Sequence, residues 1–122
     1  TQMKKIFLLI IAVFIVSSSA SFSQEQISSK EAGNYIGKTL QVRGIVSGVF
    51  TSQKGNTFIN FDEKSPNQTF TAAVFSDSKV DISKIKEGCV LTVYGEIKEY
   101  KGKPEIILTS NEQIIGIEEK QE

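Results

Sequence analysis

The sequence predicts an all-β domain: five strands in Greek-key order, curved into a small barrel, with a short helix before the first strand and another between the third and fourth. Three observations carry this. Gly37-Lys-Thr-Leu-Gln-Val-Arg-Gly-Ile-Val46 is echoed by Gly88-Cys-Val-Leu-Thr-Val-Tyr-Gly-Glu-Ile97, both in the form G-x-x-L-x-V-x-G-x-[VI]. Between the copies, Thr57–Asp62 and Thr69–Phe75 alternate apolar and polar residues with the period of a strand. After the second copy, Lys101-Gly102 makes a turn that leads into apolar Glu105–Leu108.

Each element follows from local chemistry. Ser28-Ser-Lys-Glu31 has the spacing of a capping box, with Ser28 as N-cap, and opens a short helix carrying Ala32, Tyr35 and Ile36 before Gly37 stops it. In the first strand Leu40, Val42 and Val46 point one way, and in its echo Leu91, Val93 and Ile97 do. Gly44 and Gly95 interrupt those inward series, and glycine inside a strand marks a bend, a bulge or a close approach of backbone. Two long strands that each coil at mid-length suit a small, highly curved barrel, and closure removes the exposed sheet edges. The second strand sets Ile59 and Phe61 against Phe58 and Asn60, and the third sets Phe70, Ala72 and Val74 against Thr71 and Ala73. Glu63–Gln68 is turn-rich and joins them as a hairpin. Ser76–Glu87, with Val80, Ile82 and Ile85 among scattered charges, is the expected helical or irregular plug. From Ile114 the chain is expected to fray into an acidic tail at 118–122.

The N-terminus has the pattern of a secretory signal. Lys4 and Lys5 precede the apolar run Ile6–Val16, and small residues follow through Ser23. The run is shorter than the roughly 20 apolar residues that span a bilayer. Cleavage after Ala20 or Ser23 is expected, with Gln24 as the preferred mature start; an uncleaved anchor is the alternative. A domain over 24–117 would follow, exported to the periplasm or beyond, with no stable membrane association after cleavage. Removing Lys4 and Lys5 leaves 12 basic residues against 14 acidic ones, a net charge of about −2. Cys89 is the single cysteine, so no intrachain disulfide can form, and its place in an apolar strand reads as a buried, inert thiol.

Strand, strand, strand, plug, strand, strand is the order of the OB-fold. The chain resembles OB-fold domains of the nucleic-acid-binding type, the family of the anticodon-binding barrels, and most closely their stand-alone or nuclease-appended forms in exported bacterial proteins. The likeness rests on Gly37–Val46, Thr57–Asp62, Pro66–Phe75, Leu91–Ile97 and Tyr100–Ile106, and spans 37–108. It implies a ligand face on the second and third strands, flanked by the loops between strands one and two and between strands four and five. Binders of this family commonly carry a basic groove, and this chain departs from that in its neutral charge.

Single strands of nucleic acid are held by aromatic platforms and a positive track for the backbone. Phe58 is the candidate platform if it faces outward with Asn60; otherwise it packs beneath a loop or against the N-terminal helix. Thr71 lies opposite them, placed to meet a base edge or sugar, or is simply a strand threonine. Lys54, in the polar loop Thr51–Asn56, and Arg43, projecting opposite Leu40 and Val42, are candidates for phosphate. Arg43 equally suits an ion pair with a carboxylate such as Glu96. Tyr100, Lys101 and Lys103 complete the set on the loop between the fourth and fifth strands, where Glu99 and Glu105 dilute the charge. Pro104 is read as structural.

Enzymatic chemistry is disfavoured. The chain has no histidine, which removes the commonest general base and metal ligand. Asp62 and Glu63 are neighbours on a strand and so point to opposite faces. Neither a phosphate-cradling glycine loop nor zinc-ligand spacing is present, so no cofactor or metal is expected. Two functions remain: an exported module binding single-stranded DNA or RNA, and an envelope adaptor binding a protein, an oligosaccharide or a small ligand.

Overall fold

A computed structural model describes residues 25–120. The expected signal segment, and Gln121 and Glu122 of the expected tail, lie outside the described residues. The elements are β1 (Gln26–Ser28), a 3-10 helix (Ser29–Tyr35), β2 (Thr39–Thr51), β3 (Thr57–Phe61), β4 (Phe70–Val74), β5 (Val90–Glu96), β6 (Lys98–Tyr100), β7 (Lys103–Ile107), a second 3-10 helix (Asn111–Gln113) and β8 (Ile114–Glu118). The all-β OB-fold class is observed. Its five expected strands correspond to β2, β3, β4, β5 and β7.

The strands hydrogen-bond in the order β6-β7-β4-β3-β2-β5-β8, with β1 added in parallel to β2. This path does not return on itself, so the expected barrel is not a closed ring of hydrogen bonds. Two features narrow the gap. Only Ile97, fully buried, separates β5 from β6, so one chain segment supplies the first strand of the path and its last but one. Across the gap, a Cβ built on Gly95 of β5 would stand 2.7 Å from Ile106 Cγ2 of β7.

β2 supplies the coil. Thr39–Ile45 pair with β5 and Val46–Thr51 with β3, and the register slips between Val46 and Gly48. The echoed glycines are therefore close-approach positions. At Gly44 a Cβ would lie 1.9 Å from Ser29 Oγ, so only glycine lets the first 3-10 helix seat on the strand. The interior holds the residues that alternation assigns to it: Leu40, Val42 and Val46 from β2, Ile59 and Phe61 from β3, Phe70 from β4, Leu91 and Val93 from β5. Phe61 and Phe70 meet edge to face with centroids 5.0 Å apart. Each such buried side chain contributes about 1.5–3 kcal/mol. Cys89 is buried among them.

Three expectations need correction. No helix forms between β4 and β5; the link is a series of turns from which Val80, Ile82 and Ile85 pack onto the core. Short side chains capture the amides that a helix would need: Ser78 Oγ accepts from the Val80 N–H at 3.3 Å and Asp81 Oδ1 from the Ser83 N–H at 2.9 Å. The first helix is 3-10, and Ser28 caps it by accepting from the Lys30 N–H rather than that of Glu31, because the tighter turn brings the earlier amide into reach. The full capping box sits instead at Ser110 and Gln113. Finally, Ile114–Glu118 does not fray but pairs antiparallel with β5. Ile114 and Ile117 pack on the core, and Gln113 Nε2 donates to the carbonyls of Tyr94 and Ile107 at 3.0 and 3.1 Å, which holds the turn entering β8.

Candidate functional site

With Ile59 and Phe61 committed to the core, Phe58 and Asn60 face the other way. Cross-strand register carries this outer face across the sheet. Phe58 lies opposite Phe50 of β2 and Ala73 of β4, and Asn60 lies opposite Gly48 and Thr71. Thr71 is paired in turn with Glu105 of β7, and Glu105 with Lys98 of β6. Tyr100 and Lys103 form the last pair of the β6–β7 ladder. Lys101 and Gly102 connect them with φ of 51° and 80°, the left-handed pair of a tight hairpin turn, which is where glycine is needed.

These residues line a groove of about 610 Å³. One end carries Phe50 and Phe58, the other Tyr100, and the polar row lies between them. Phe50 is 60% exposed, Tyr100 54% exposed and Phe58 half-buried. The row is internally bonded: Gln68 Nε2 donates to Thr71 Oγ1 at 3.3 Å, and Thr71 Oγ1 donates to Asn60 Oδ1 at 3.0 Å. Gln68 Oε1 is buried in the wall without a partner. Lys103 Nζ donates to the Gln68 carbonyl at 3.0 Å and so pins the β3–β4 loop, with Ser65 and Pro66, as one side of the groove. Lys101 Nζ stands 5.4 Å from the Tyr100 ring centroid, a cation–π contact. Glu105, 8% exposed, lies on the floor, and burial pushes its carboxyl above the ordinary range.

Of the residues singled out from sequence, the groove brings together Phe58, Asn60, Thr71, Tyr100, Lys101 and Lys103. Arg43 and Lys54 are not among its lining. Arg43 pairs with Glu118 at 2.9 Å, not with Glu96, because β8 pairs with β5, the strand beside Arg43, and brings Glu118 within reach. Lys54 is exposed in the β2–β3 turn. Sequence reading missed Phe50, Gln68 and Glu105. Alternation from Leu40, Val42 and Val46 carries Phe50 to the inner face, and the register slip between Val46 and Gly48 turns it outward beside Phe58. Alternation along β7 sets Glu105 opposite in facing to Ile106, but its burial depends on the β4–β7 pairing. Nothing local marks Gln68.

The OB-fold nucleic acid binding domain family matches residues 40–114, most of the chain and every strand that builds the groove. No curated protein sequence matches it. Among solved structures, the chain is similar to an aspartyl-tRNA synthetase assigned in Leishmania major Friedlin, with TM-score 0.51 and 16% identity over 76% of this chain and 21% of that one. The chain thus matches about a fifth of the length of that protein. It is also similar to the OBody AM1L10, whose structure is bound to hen egg-white lysozyme, with TM-score 0.54 and 13% identity over 75% of this chain and 94% of that one. At these identities the two structures speak for the fold alone. With the family match covering residues 40–114, more than half of the chain, the chain belongs to the OB-fold nucleic acid binding domain family.

Proposed function

We propose that the chain is a non-enzymatic, exported module that binds single-stranded nucleic acid in this groove. Bases stack on Phe58 and Phe50 at one end and on Tyr100 at the other, while Asn60 and Thr71 meet a base edge or sugar between them. The observation that carries the reading is the convergence of two aromatic platforms on one polar row. Successive residues on one face of a strand are about 6.7 Å apart, which suits an extended strand laid across the rows. Lys101, with Lys54 beyond the hairpin, would meet phosphates, and so few cations give weak, salt-sensitive binding. Export rests on the N-terminal lysines and apolar run.

A protein ligand on the same face is the second reading. It is favoured by the exposure of Phe50 beside Phe58. Fluorescence anisotropy with labelled single-stranded oligonucleotides at low salt separates the two. Saturable binding supports the first reading, and its absence leaves the second.

A further inference from the structure

We infer that Glu105 is a pH gate on the groove, which holds nucleic acid more tightly when this carboxyl is protonated. The inference rests on the proposed binding reading and adds a control to it.

The geometry isolates one negative charge where a polyanion would lie. Glu105 sits in the central polar row, next to Thr71 on β4 and Lys98 on β6. The charged side chains lining the groove are Lys101, Lys103 and Glu105. Neither lysine answers the carboxylate: Lys103 Nζ is bonded to the Gln68 carbonyl and Lys101 Nζ rests over Tyr100. Lys98, its register partner, is exposed. Among the described residues the ion pairs are Arg43–Glu118 and Lys64–Glu87, so none includes Glu105. From β3 and β4 the row presents only Asn60 and Thr71, whose hydroxyl is already donated to Asn60.

A buried carboxylate with no cation partner is expensive to keep ionised, and burial already raises its pKa. A phosphate brought into the groove adds a like charge and opposes ionisation further. Protonation removes that repulsion, leaves the two lining lysines unopposed, and converts a pure acceptor into an O–H donor. Because proton uptake then favours ligand and ligand favours proton uptake, each strengthens the other.

The test is an anisotropy titration of the full chain with a labelled single-stranded oligonucleotide of about 12 nucleotides, at about pH 5 and about pH 8. Wild type should bind more tightly at the lower pH by about three- to tenfold, the scale of one partly screened charge–charge contact. Glu105→Gln should bind at both values like the acid form and lose most of the pH dependence. A second measurement reads the group directly: the Glu105 side-chain carboxyl resonance, followed through pH, should titrate at higher pH with oligonucleotide present. Binding with no pH dependence, or with the same dependence in Glu105→Gln, overturns the gate and leaves the binding reading standing. A Glu105 titration unmoved by bound oligonucleotide also overturns it. No binding by either protein at either pH overturns both.

Discussion

Thr71 donates its hydroxyl hydrogen to Asn60 Oδ1 across 3.0 Å, joining β4 to β3 in the centre of the groove. The bond occupies the Asn60 oxygen, so a ligand in the groove would meet Asn60 through its amide nitrogen. Thr71→Val breaks the relay and strands both Asn60 Oδ1 and Gln68 Nε2. The expected loss of fold stability is about 1–3 kcal/mol, measured by urea denaturation with an unchanged m-value.

Gly44 tests the packing logic. A Cβ there would meet Ser29 Oγ at 1.9 Å and Ser29 Cβ at 2.7 Å. Gly44→Ala should cost about 1–3 kcal/mol as the helix is pushed off β2. Ser29→Ala in that background removes the Oγ clash but leaves the Cβ one, so Ser29→Gly should restore more of the loss than Ser29→Ala. Equal effects of the two would show that the clash is relieved elsewhere.

The lysines are expected to divide by role. Lys101→Ala should lower the slope of log K against log salt by about 0.7, the loss of one phosphate contact on a single strand. Lys103→Ala should also weaken binding, but with lower thermal stability, because Lys103 Nζ anchors the β3–β4 loop. Arg43→Ala should leave the oligonucleotide titration unchanged and cost about 0–1 kcal/mol of stability, as exposed ion pairs do.

Glu105 has a signature in stability as well as binding. Its carboxyl holds its proton to a higher pH in the folded chain than in the unfolded one. Its contribution is therefore fully present below the unfolded pKa and is lost as pH rises through the folded pKa. Glu105→Gln should accordingly melt higher than wild type at neutral pH, with the gap closing as the pH falls. A gap that widens on acidification would reverse the assignment.

The strands were legible where one local rule governs them. Alternation separated Ile59 and Phe61 from Phe58 and Asn60, and the echo marked Gly44 and Gly95 as a bend, a bulge or a close approach, of which the structure shows the last. The failures share a cause in competition or distance. Val80, Ile82 and Ile85 suit a helical or an irregular plug equally, and Ser78 and Asp81 decide it by binding nearby amides. The acidic end of the chain masked Ile114 and Ile117, whose burial turns a presumed tail into β8. Arg43 meets a carboxylate 75 residues away, which no spacing rule could nominate. At the groove, alternation was enough for β3 and β4, while Phe50 depended on the register slip at Gly48 and Glu105 on a parallel pairing with β4.

Nucleic-acid binding here depends on aromatic stacking in the groove, and the most direct measurement compares wild type with Phe58→Ala against a single-stranded oligonucleotide at low salt. Wild type should bind saturably, and Phe58→Ala should lose about 1–3 kcal/mol of affinity with its fold intact by circular dichroism. Absence of wild-type binding under those conditions, or an unchanged titration in Phe58→Ala, would contradict the claim.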